Sequence, residues 1–349
     1  MKKKILISLD RIKYPNSGLG RVSIDFMNEV IKNEEFEFTF LVPKGFEKKI
    51  PSMRTVSLTF FRRFFSGYMQ SFDLVHIIHQ LPAYSISKAP KLILTVHDLN
   101  FLYTKNEKKR IKYRKRIQKI INTAHVLSFI SEFTKNDCLK NLTIPANKKL
   151  RVIHNGSGEL KNPSSHPSWC PDSPFLFSVG VFLDKKNFHT LVPFLKLLPD
   201  TYKLVIAGDC STRYGERIHK LINENQLEGR IVLPGMITEA EKSYLYHQSE
   251  AFVFPSIAEG FGLPVIEAMS VGKPVFCSEK TSLKEIGSRF AYFWKSFDPD
   301  QMIKVFTEGM KDFKQHPQKK EEQIKYAQSF TWQKNAAEYI QLYNELLTQ

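Results

Sequence analysis

The sequence predicts two successive α/β domains, each built on a parallel sheet, that face each other across a cleft. The chain has 349 residues and is 42% hydrophobic, whereas one compact domain usually holds about 100–200 residues. Short apolar runs alternate with helix-like segments throughout, as buried parallel strands do. Since ligands of open parallel sheets bind outside the carboxyl ends of the strands, we expect the functional site in the cleft.

The apolar runs fall into two groups separated by a segment that is rich in proline and serine, 160–174. The first group predicts six strands, Ile5–Leu9, Phe38–Val42, Leu74–Ile78, Leu92–Val96, Val126–Ile130 and Leu150–Ile153. The second group predicts five strands, Phe175–Val179, Lys203–Ala207, Ile231–Leu233, Ala251–Phe254 and Pro274–Cys277. The proline-rich segment is typical of a linker, so we place the domains at 1–160 and 161–330.

Composition argues against membrane-spanning and disulfide-rich classes of protein. No stretch approaches the ~20 apolar residues of a spanning helix, and the apolar run after Lys2-Lys3-Lys4 is too short for a signal-peptide core. The four cysteines form no C-x-x-C pair, so we expect reduced, mostly buried thiols. These residues are Cys138, Cys170, Cys210 and Cys277. We therefore expect a cytoplasmic protein.

The net positive charge of the protein comes from the first half of the chain. Residues 1–160 hold 29 Lys or Arg against 13 Asp or Glu, and residues 161–349 hold 22 of each. The densest segment, Lys105–Lys119, carries nine bases and one acid, and Phe60–Phe65 mixes phenylalanines with arginines. Three interpretations stand: a solvated helix face over a core, a nucleic-acid site, or an anionic membrane surface or phosphate-bearing acceptor. We predict a membrane surface and no nucleic acid, because nucleic-acid binding leaves the motif described next without a purpose.

The most informative local signal runs from Pro255 to Met269. A strand leads into a glycine-bearing loop, and Pro264 suits the first turn of a helix that begins near Leu263. Free N–H groups at such a helix start form a site for a diphosphate. Glu267 would accept hydrogen bonds from ribose hydroxyls, and Glu259 would bind hydroxyls of a sugar. Taken singly, a glycine-proline loop is more often a turn, and a first-turn glutamate more often serves the helix dipole.

The whole string resembles the hallmark of family 4 retaining glycosyltransferases, two glutamates separated by seven residues around Gly-Phe-Gly-Leu-Pro. The resemblance implies the GT-B fold of two Rossmann-like domains and a nucleotide-sugar donor used as substrate. It also implies that no metal or other cofactor is required, and that the last helix, near Trp332–Leu347, returns to the first domain. It assigns Glu259 to catalysis and places Phe261, Gly262, Leu263 and Glu267 against the donor.

A second segment of the predicted C-terminal domain extends the resemblance. Ser178-Val179-Gly180 followed by Asp184-Lys185-Lys186-Asn187 resembles the family's phosphate-binding turn, which implies that Lys186 contacts the diphosphate and acts in catalysis. The family often has Arg after the glycine, where this chain has Val181. The second cation is then absent or comes from Lys185, Arg21 or another base. The alternative for Lys186 is an exposed lysine at a helix start.

Two segments of the predicted N-terminal domain also match. The Asn16–Arg21 segment resembles the family's glycine loop, which implies that Gly18 and Gly20 approach the donor through backbone N–H groups. His97 and Asp98 resemble a pair that faces the transferred sugar, which implies that His97 lies near the anomeric carbon and that Asp98 positions its loop. The alternatives are an ordinary loop and a histidine that satisfies nearby backbone.

The predicted activity is transfer of a hexose, first mannose from GDP-mannose, to a glycan or lipid-linked acceptor of a bacterial surface polysaccharide or glycolipid, at the inner face of the cytoplasmic membrane. A UDP-sugar-dependent transferase and a non-catalytic nucleotide-sugar-binding protein remain alternatives. A phosphorylase-like enzyme would need a lysine for pyridoxal phosphate and a longer chain. The D-x-D string at Asp298–Asp300 is interpreted as a turn or helix cap, so no metal site is predicted.

Overall fold

The computed structural model describes residues 1–14, 17–163 and 165–348. The chain forms two compact units: unit 1 is Met1–Gly156 together with Thr331–Gln349, and unit 2 is Ser157–Phe330. Each unit contains one parallel sheet connected through helices. The predicted fold class, two α/β domains with parallel sheets, is confirmed.

Unit 1 contains a seven-stranded sheet in the order β3-β2-β1-β4-β5-β6-β7, with all neighbours parallel. Its strands are β1 Lys3–Ser8, β2 Phe36–Pro43, β3 Thr55–Leu58, β4 Leu74–Ile77, β5 Leu92–Val96, β6 Val126–Phe129 and β7 Lys149–Val152. Its helices within the first 156 residues are α1 Gly18–Val30, α2 Phe60–Phe64, α3 Phe101–Thr104, α4 Glu107–Thr123 and α5 Glu132–Asn141. One-turn 3-10 helices lie at Phe46–Lys49 and Gly67–Ser71.

Unit 2 contains a six-stranded sheet in the order β10-β9-β8-β11-β12-β13, again with all neighbours parallel. Its strands are β8 Phe175–Val179, β9 Lys203–Ala207, β10 Ile231–Val232, β11 Ala251–Phe254, β12 Val275–Ser278 and β13 Ala291–Trp294. Its α-helices are α6 Leu191–Lys196, α7 Arg213–Glu224, α8 Glu239–Gln248, α9 Leu263–Ser270, α10 Ser282–Gly287, α11 Pro299–Gln315 and α12 Gln318–Ala327. Short 3-10 helices span Asp184–Lys186 and Phe188–Thr190.

The last helix, α13 Trp332–Leu347, belongs to unit 1 and packs against α1. Its tyrosines enter a buried hydrogen-bond network under the sheet. The Tyr343 hydroxyl lies 2.7 Å from His76 Nδ1, and the Tyr339 hydroxyl lies 2.9 Å from both Thr95 Oγ1 and Ser128 Oγ. Because these groups are buried without solvent, each needs its partner, so the network ties α13 to β4, β5 and β6.

All eleven predicted strands are present, and β3 and β13 were missed. Both missed strands lie at an edge of their sheet. Their burial is mixed: only the last residue of β3 and the two end residues of β13 are fully buried. An edge strand has a neighbour on one side alone and so carries a weaker apolar signal than a central strand. The other two edge strands, β7 and β10, were nevertheless predicted, so an edge position weakens this signal without abolishing it.

The strand order of each sheet reverses at one place. In unit 1 the strands that follow β1 are added on one side of it, and the chain then returns to place β4 and its successors on the other side. In unit 2 the same reversal lies between β8 and β11. In open α/β sheets the loops that follow two such strands turn away from each other, and the crevice between them at the carboxyl edge is the usual ligand position. The residues that follow β1, β4, β8 and β11 are therefore the ones that matter for the site.

Candidate active site

In unit 2, an ion pair spans the place where the strand order reverses. Lys186 lies in the segment that follows β8, and Glu259 lies in the loop that follows β11. Lys186 Nζ is 2.6 Å from Glu259 Oε1. The structure thus brings together two residues that are 73 positions apart in sequence and that were both predicted to act on the donor.

The backbone around Lys186 explains how its side chain reaches this position. Gly180 has φ +153, and a Cβ there would approach the Lys186 side chain to 2.9 Å, so a glycine leaves the room that the lysine stem occupies. The 3-10 turn that contains Lys186 ends at Asn187, which adopts left-handed φ of 58. The ammonium lies 4.7 Å from the centre of the Phe254 ring, a favourable position for a cation over an aromatic face. The side chain is largely buried, unlike the exposed lysine of the alternative interpretation.

The Glu259 carboxylate is held by several groups of its own unit. The Ser256 hydroxyl donates to Glu259 Oε1 at 2.6 Å, and the Glu259 backbone N–H donates to Thr281 Oγ1 at 3.0 Å. The segments that follow β8 and β11 are also joined directly, because the Ile257 N–H donates to the Lys185 carbonyl at 2.8 Å. Together these bonds fix the carboxylate before any ligand arrives.

Burial and charge act against each other on this pair. Burial alone would raise the pKa of Glu259, but the Lys186 ammonium, followed by Lys185, outweighs it and lowers the pKa. Burial lowers the pKa of Lys186, and Glu259 opposes that shift. A lysine begins from a pKa far above neutrality, so with the carboxylate beside it we expect both groups to carry charge at neutral pH.

Three glycines shape the strand ends beside this pair. Gly180, Gly208 and Gly235 follow β8, β9 and β10, and all three have positive φ. The Gly208 N–H donates to the Gly235 carbonyl at 2.8 Å, and a Cβ on Gly208 would lie 1.9 Å from the Gly180 carbonyl oxygen. Only glycine therefore fits at position 208, and the three loop backbones lie close together at the carboxyl edge of the sheet.

Glu267 lies in α9, and two side chains of α8 contact it. Lys242 Nζ donates to Glu267 Oε1 at 2.9 Å, and the Tyr246 hydroxyl donates to Oε2 at 2.8 Å. Lys242 also pairs with Glu239 at 3.0 Å. The sequence analysis missed Lys242 and Tyr246, although their four-residue spacing places both on one helix face. Nothing in the spacing indicates that this face meets α9.

The start of α9 is built as the sequence predicted. The helix begins at Leu263, with Pro264 in its first turn and Gly262 as the N-cap at φ +113, a conformation that favours glycine. A Cβ on Gly262 would also approach the Leu283 side chain to 2.7 Å. Phe261 is buried and its ring packs edge-on against Phe330, 5.8 Å between centroids, so its side chain anchors the loop.

The candidates for a second cation lie in different surroundings. Lys185 is half-buried directly beside Lys186, and its backbone carbonyl accepts from Ser256 Oγ at 3.1 Å. Arg21, in unit 1, pairs with Asp25 at 2.8 Å. Val181, where the family often has arginine, is 42% exposed. Lys185 is thus the candidate that unit 2 itself places next to the Lys186–Glu259 pair.

The predicted glycine loop of unit 1 forms the start of α1. Gly18 is exposed, and a Cβ there would meet nothing within 4 Å. The Gly20 N–H donates to the side chain of the N-cap Ser17 at 3.1 Å, and a Cβ on Gly20 would lie 1.9 Å from the Tyr14 carbonyl oxygen. Gly20 therefore lets the helix start pack against the preceding turn. Asn16 lies outside the described residues.

His97 follows β5 and is buried. His97 Nε2 lies 2.7 Å from the Ile78 carbonyl, and the His97 N–H donates to Gln80 Oε1 at 3.0 Å. Burial lowers the pKa of His97 to about 4, so the ring is neutral at pH 7 and Nε2 carries the hydrogen that it donates. Asp98 Oδ1 accepts from the Asn100 N–H at 2.9 Å, a contact that positions the loop as predicted.

A second polar pair, which the sequence analysis did not find, occupies the reversal point of unit 1. Asp10 follows β1 and His79 follows β4. His79 Nε2 lies 2.9 Å from Asp10 Oδ1, while the Leu81 N–H donates to His79 Nδ1 at 3.2 Å. Arg11 Nε lies 3.2 Å from the same His79 Nε2, so a guanidinium stands beside the carboxylate and the imidazole. Burial would raise the pKa of Asp10, but the bond from His79 lowers it.

Comparison with known proteins identifies the family of this chain. The family model described as "Glycosyltransferase Family 4" matches residues 29–157, and the one described as "Glycosyl transferases group 1" matches residues 166–330. The chain belongs to the family 4 glycosyltransferases. The two matched ranges fall in unit 1 and unit 2 respectively, so each half of the glycosyltransferase is recognised separately.

The similarity to other proteins covers nearly the full length of this glycosyltransferase. O-antigen chain mannosyltransferase B of Escherichia coli is 24% identical over 386 positions, covering 98% of this chain and 100% of the relative. Sucrose-phosphate synthase from Thermosynechococcus elongatus superimposes with a TM-score of 0.79 at 19% identity, covering 99% of this chain and 100% of the other. Anabaena HepE, solved in complex with UDP-glucose, gives a TM-score of 0.73 at 16% identity, with 98% and 100% covered. The similarity to the two solved structures, sucrose-phosphate synthase and HepE, establishes the GT-B fold.

The remaining sequence predictions concern metal, thiols and membrane spans. Within residues 1–14, 17–163 and 165–348, no group of three or more His, Cys, Asp or Glu is arranged to hold a metal ion. Asp298 caps α11 by accepting from the Gln301 N–H at 3.1 Å, which confirms the helix-cap interpretation of the D-x-D string. All four cysteines are free and three are buried. Among the same described residues, no helix is long and apolar enough to cross a bilayer.

Proposed function

We propose that the protein transfers mannose from GDP-mannose to a hydroxyl of a glycan or lipid-linked acceptor, with retention of the anomeric configuration. The observation that carries the proposal is the Lys186–Glu259 pair across the β8/β11 reversal point, next to the glycine-rich strand ends and the start of α9. A nucleotide diphosphate needs cations and free N–H groups, and a sugar needs a carboxylate. This crevice supplies both from one unit.

In the proposed reaction the bond between the anomeric carbon and the diphosphate oxygen breaks, and the acceptor hydroxyl oxygen forms the new bond. The hydroxyl proton passes to the leaving diphosphate, so the products are GDP and the mannosylated acceptor. Negative charge develops on the diphosphate as it leaves. Lys186, Lys185 and the N–H groups near Gly262 and Leu263 stabilise that charge, because oriented donors and cations cost no reorganisation during the reaction.

The sugar and nucleoside of the donor are assigned to the two glutamates and His97. Glu259 binds hydroxyls of the transferred sugar, and Glu267 binds the ribose, with its carboxylate aimed by Lys242 and Tyr246. His97 contacts the transferred sugar through Nδ1, which in the neutral ring can accept a hydrogen bond from a sugar hydroxyl while Nε2 donates to the Ile78 carbonyl. Gly18 and Gly20 give backbone contacts to the donor from the α1 start. This division of roles follows the family resemblance residue by residue.

The choice of donor rests on the relatives. O-antigen chain mannosyltransferase B matches along 98% of this chain, and its name supports mannose as the transferred sugar. A UDP-sugar is the second candidate, because Anabaena HepE of the same fold was solved with UDP-glucose. The proposal includes no metal, since two lysines and the helix start are available to neutralise the diphosphate.

A donor panel tests the substrate. The purified protein is heated with GDP-mannose, UDP-glucose, ADP-glucose or dTDP-glucose, each at the same concentration. A ligand that binds the folded state alone raises the melting temperature by mass action, so we expect the largest shift with GDP-mannose. A larger shift with UDP-glucose assigns the second candidate, and no shift with any nucleotide sugar contradicts the proposed activity.

Turnover tests the chemistry. Donor hydrolysis and transfer are followed by release of GDP, and the anomeric configuration of the product is read by NMR. We expect the α configuration of the donor in the product, and unchanged GDP release when a chelator is added. An inverted product contradicts retention, and loss of turnover that Mg²⁺ restores contradicts metal independence.

A further inference from the structure

Helix α2 exposes four phenylalanine rings around one short turn. Phe60, Phe61, Phe64 and Phe65 are 72%, 73%, 61% and 69% exposed. Phe60 contacts two of the other rings, with centroids 5.2 Å apart for Phe60 and Phe64 and 6.0 Å apart for Phe60 and Phe61. A contiguous exposed apolar patch of this kind is uncommon on a soluble protein and indicates a binding surface.

The patch is held in place by inward contacts of the same segment. Arg62 Nη1 donates to the Ser57 carbonyl at 2.9 Å, and its guanidinium lies 5.7 Å from the centre of the Tyr68 ring. Thr59 caps the helix, and the Ser85 N–H donates to the Arg63 carbonyl at 2.8 Å. The backbone and Arg62 are thus anchored, and the phenylalanine rings are presented to solvent by a formed element.

Helix α4 presents a dense positive face. Its buried face consists of Ile117, Ile120 and Ile121, and Glu107 is its one acid. The bases of its segment that are exposed are Lys105, Lys108, Lys109, Arg110, Lys112, Arg114, Lys115 and Lys119. Ile111 stands among them and is 48% exposed. A shallow depression lined by Arg114, Lys115 and Lys119 runs along this helix.

The two elements are neighbours on unit 1. The Arg116 guanidinium donates to the Pro82 carbonyl, while the Arg63 carbonyl accepts from the Ser85 N–H. Both helices therefore contact the same four-residue segment, 82–85. The aromatic patch and the basic face therefore flank one short segment, and we treat them together as the aromatic-basic surface, defined as α2 with Phe65 together with the exposed residues of 105–119.

We propose that the aromatic-basic surface docks on an anionic lipid bilayer, with the phenylalanines at the acyl boundary and the lysines and arginines among the headgroups. Aromatic rings beside cations are the composition of interfacial segments, and cations near the surface are attracted to anionic lipid. A nucleic acid would instead need separated rings on which bases stack, whereas these rings pack on each other. The inference goes beyond the transfer reaction and does not depend on the donor.

Vesicle sedimentation tests the proposal. The full chain is pelleted with vesicles of phosphatidylcholine alone and with vesicles of equal parts phosphatidylcholine and phosphatidylglycerol. We expect binding to the second kind, weaker at high salt because the cationic contribution is screened. Replacing all four phenylalanines, F60S, F61S, F64S and F65S, is expected to lower the affinity at least tenfold and to leave the remaining binding more salt-sensitive.

The basic contribution is tested by K108Q, K109Q, K112Q and K115Q, which remove four charges from α4. At about 1 kcal/mol for each surface-adjacent cation, the affinity is expected to fall at least a hundredfold. The matched control removes four exposed lysines of unit 2, K196Q, K220Q, K304Q and K311Q, and should retain most of the binding. Melting temperature and the shift with GDP-mannose verify that each variant is folded.

Three results would overturn the proposal. One is the absence of wild-type binding to the anionic vesicles, and another is an equal loss in the unit 2 control, which would reduce the effect to net charge. The third is displacement of the bound protein by single-stranded RNA together with unchanged vesicle affinity of the phenylalanine variant. A protein that shifts with no nucleotide sugar but pellets as expected would separate failure of the proposed reaction from failure of this surface.

Discussion

The two units carry a polar pair at the same topological position, and the pairs differ in composition and in closure. In unit 1, Asp10 and His79 follow the two strands at the reversal point, have side chains that are 7% and 3% exposed, and join a carboxylate to an imidazole. In unit 2, Lys186 and Glu259 join two charged groups whose side chains are 11% and 13% exposed. The same sheet edge therefore holds a closed pair in one unit and a more accessible ion pair in the other.

The difference shows which pair still has hydrogen-bond donors available for a ligand. The Asp10–His79 bond is closed on both sides, because the Leu81 N–H occupies the second imidazole nitrogen and Ser8 Oγ donates to Asp10 Oδ1 at 3.3 Å. Lys186 has three N–H bonds to give, of which Glu259 takes one. We expect the ammonium to contact an incoming diphosphate without leaving the carboxylate, so donor binding is assigned to the unit 2 pair and a structural role to the Asp10–His79 pair.

The largest expected effect is that of Lys186→Ala on turnover. Removing one donor from a site that stabilises developing charge typically lowers kcat by about a hundred- to a thousandfold. The variant also leaves Glu259 without its cation, which destabilises unit 2. The measurement is kcat/KM together with urea unfolding.

A double variant separates the two effects of Lys186. Lys186→Met with Glu259→Gln removes both charges, so stability should return while turnover stays low. Lys220→Ala, from the exposed pair with Glu224, should match the wild type in both measurements. Wild-type turnover in Lys186→Ala would contradict the role assigned to the ion pair.

Acid is expected to weaken unit 1 before unit 2. Burial lowers the pKa of His76 to about 3 and that of His97 to about 4, whereas an unfolded histidine titrates near 6.5. Below pH 6.5 the unfolded chain binds protons that the folded unit does not, so stability is complete above that pH and falls as the pH approaches 4. At pH 5.5 the loss is about 1.4 kcal/mol for each histidine.

Hydrogen exchange at pH 7.5 and pH 5.5, corrected for intrinsic rates, resolves the two units. Peptides of β4, β5 and α13 should lose protection as the pH falls, while peptides of β8, β11 and α9 change less. His189 of unit 2 also has a lowered pKa because it is partly buried, and its contribution should be smaller. Greater loss of protection in unit 2 would reverse the comparison.

Asp10→Asn tests whether the unit 1 pair is structural. The amide keeps the shape and accepts the His79 hydrogen, but it lacks the charge, so we expect a loss of about 2 kcal/mol in the free energy of unfolding. The shift in melting temperature with GDP-mannose should persist. Asp200→Asn is the control, because that carboxylate is exposed. A lost donor shift with unchanged stability would give Asp10 a binding role instead.

The smallest expected effect belongs to Lys242, which we regard as a positioning residue for Glu267. Lys242→Met should raise KM for the donor about tenfold, or ~1.4 kcal/mol, and change kcat less, because Glu267 keeps Tyr246 but loses its cation. Glu239→Gln removes the other partner of Lys242 and should leave KM near the wild-type value. A fall in kcat with unchanged KM would contradict the assignment to ribose binding.

Sequence patterns predicted the central strands because these are apolar on both faces. Phe175–Val179 and Lys203–Ala207 were predicted with the bounds that the structure gives. Of the four edge strands, β7 and β10 were predicted, whereas Thr55–Leu58 and Ala291–Trp294, in which buried and half-buried residues are mixed, were missed. Periodicity thus identifies strands that are buried from both sides and is less reliable at the edges of a sheet.

The residues of the candidate site were predicted from short strings along the chain, but their contacts with one another were not. Glu259, Gly262, Leu263 and Glu267 lie within one string, and the start of α9 follows from its glycine and proline. The contacts of Lys186 with Glu259, of Asp10 with His79 and of Lys242 with Glu267 cross from one loop or helix to another. Those contacts depend on strand order and helix packing, which spacing along the chain does not encode.

The placement of α13 has a consequence for synthesis on the ribosome. Unit 1 contains the first 156 residues, yet Tyr339 and Tyr343 are synthesised only after unit 2. These tyrosines hydrogen-bond the buried hydroxyl of Thr95 and the ring of His76. The nascent amino-terminal sheet therefore waits, with α1 uncovered, while the whole of unit 2 is translated and can fold. Unit 1, whose synthesis begins before that of unit 2, is therefore completed only after unit 2 has been made.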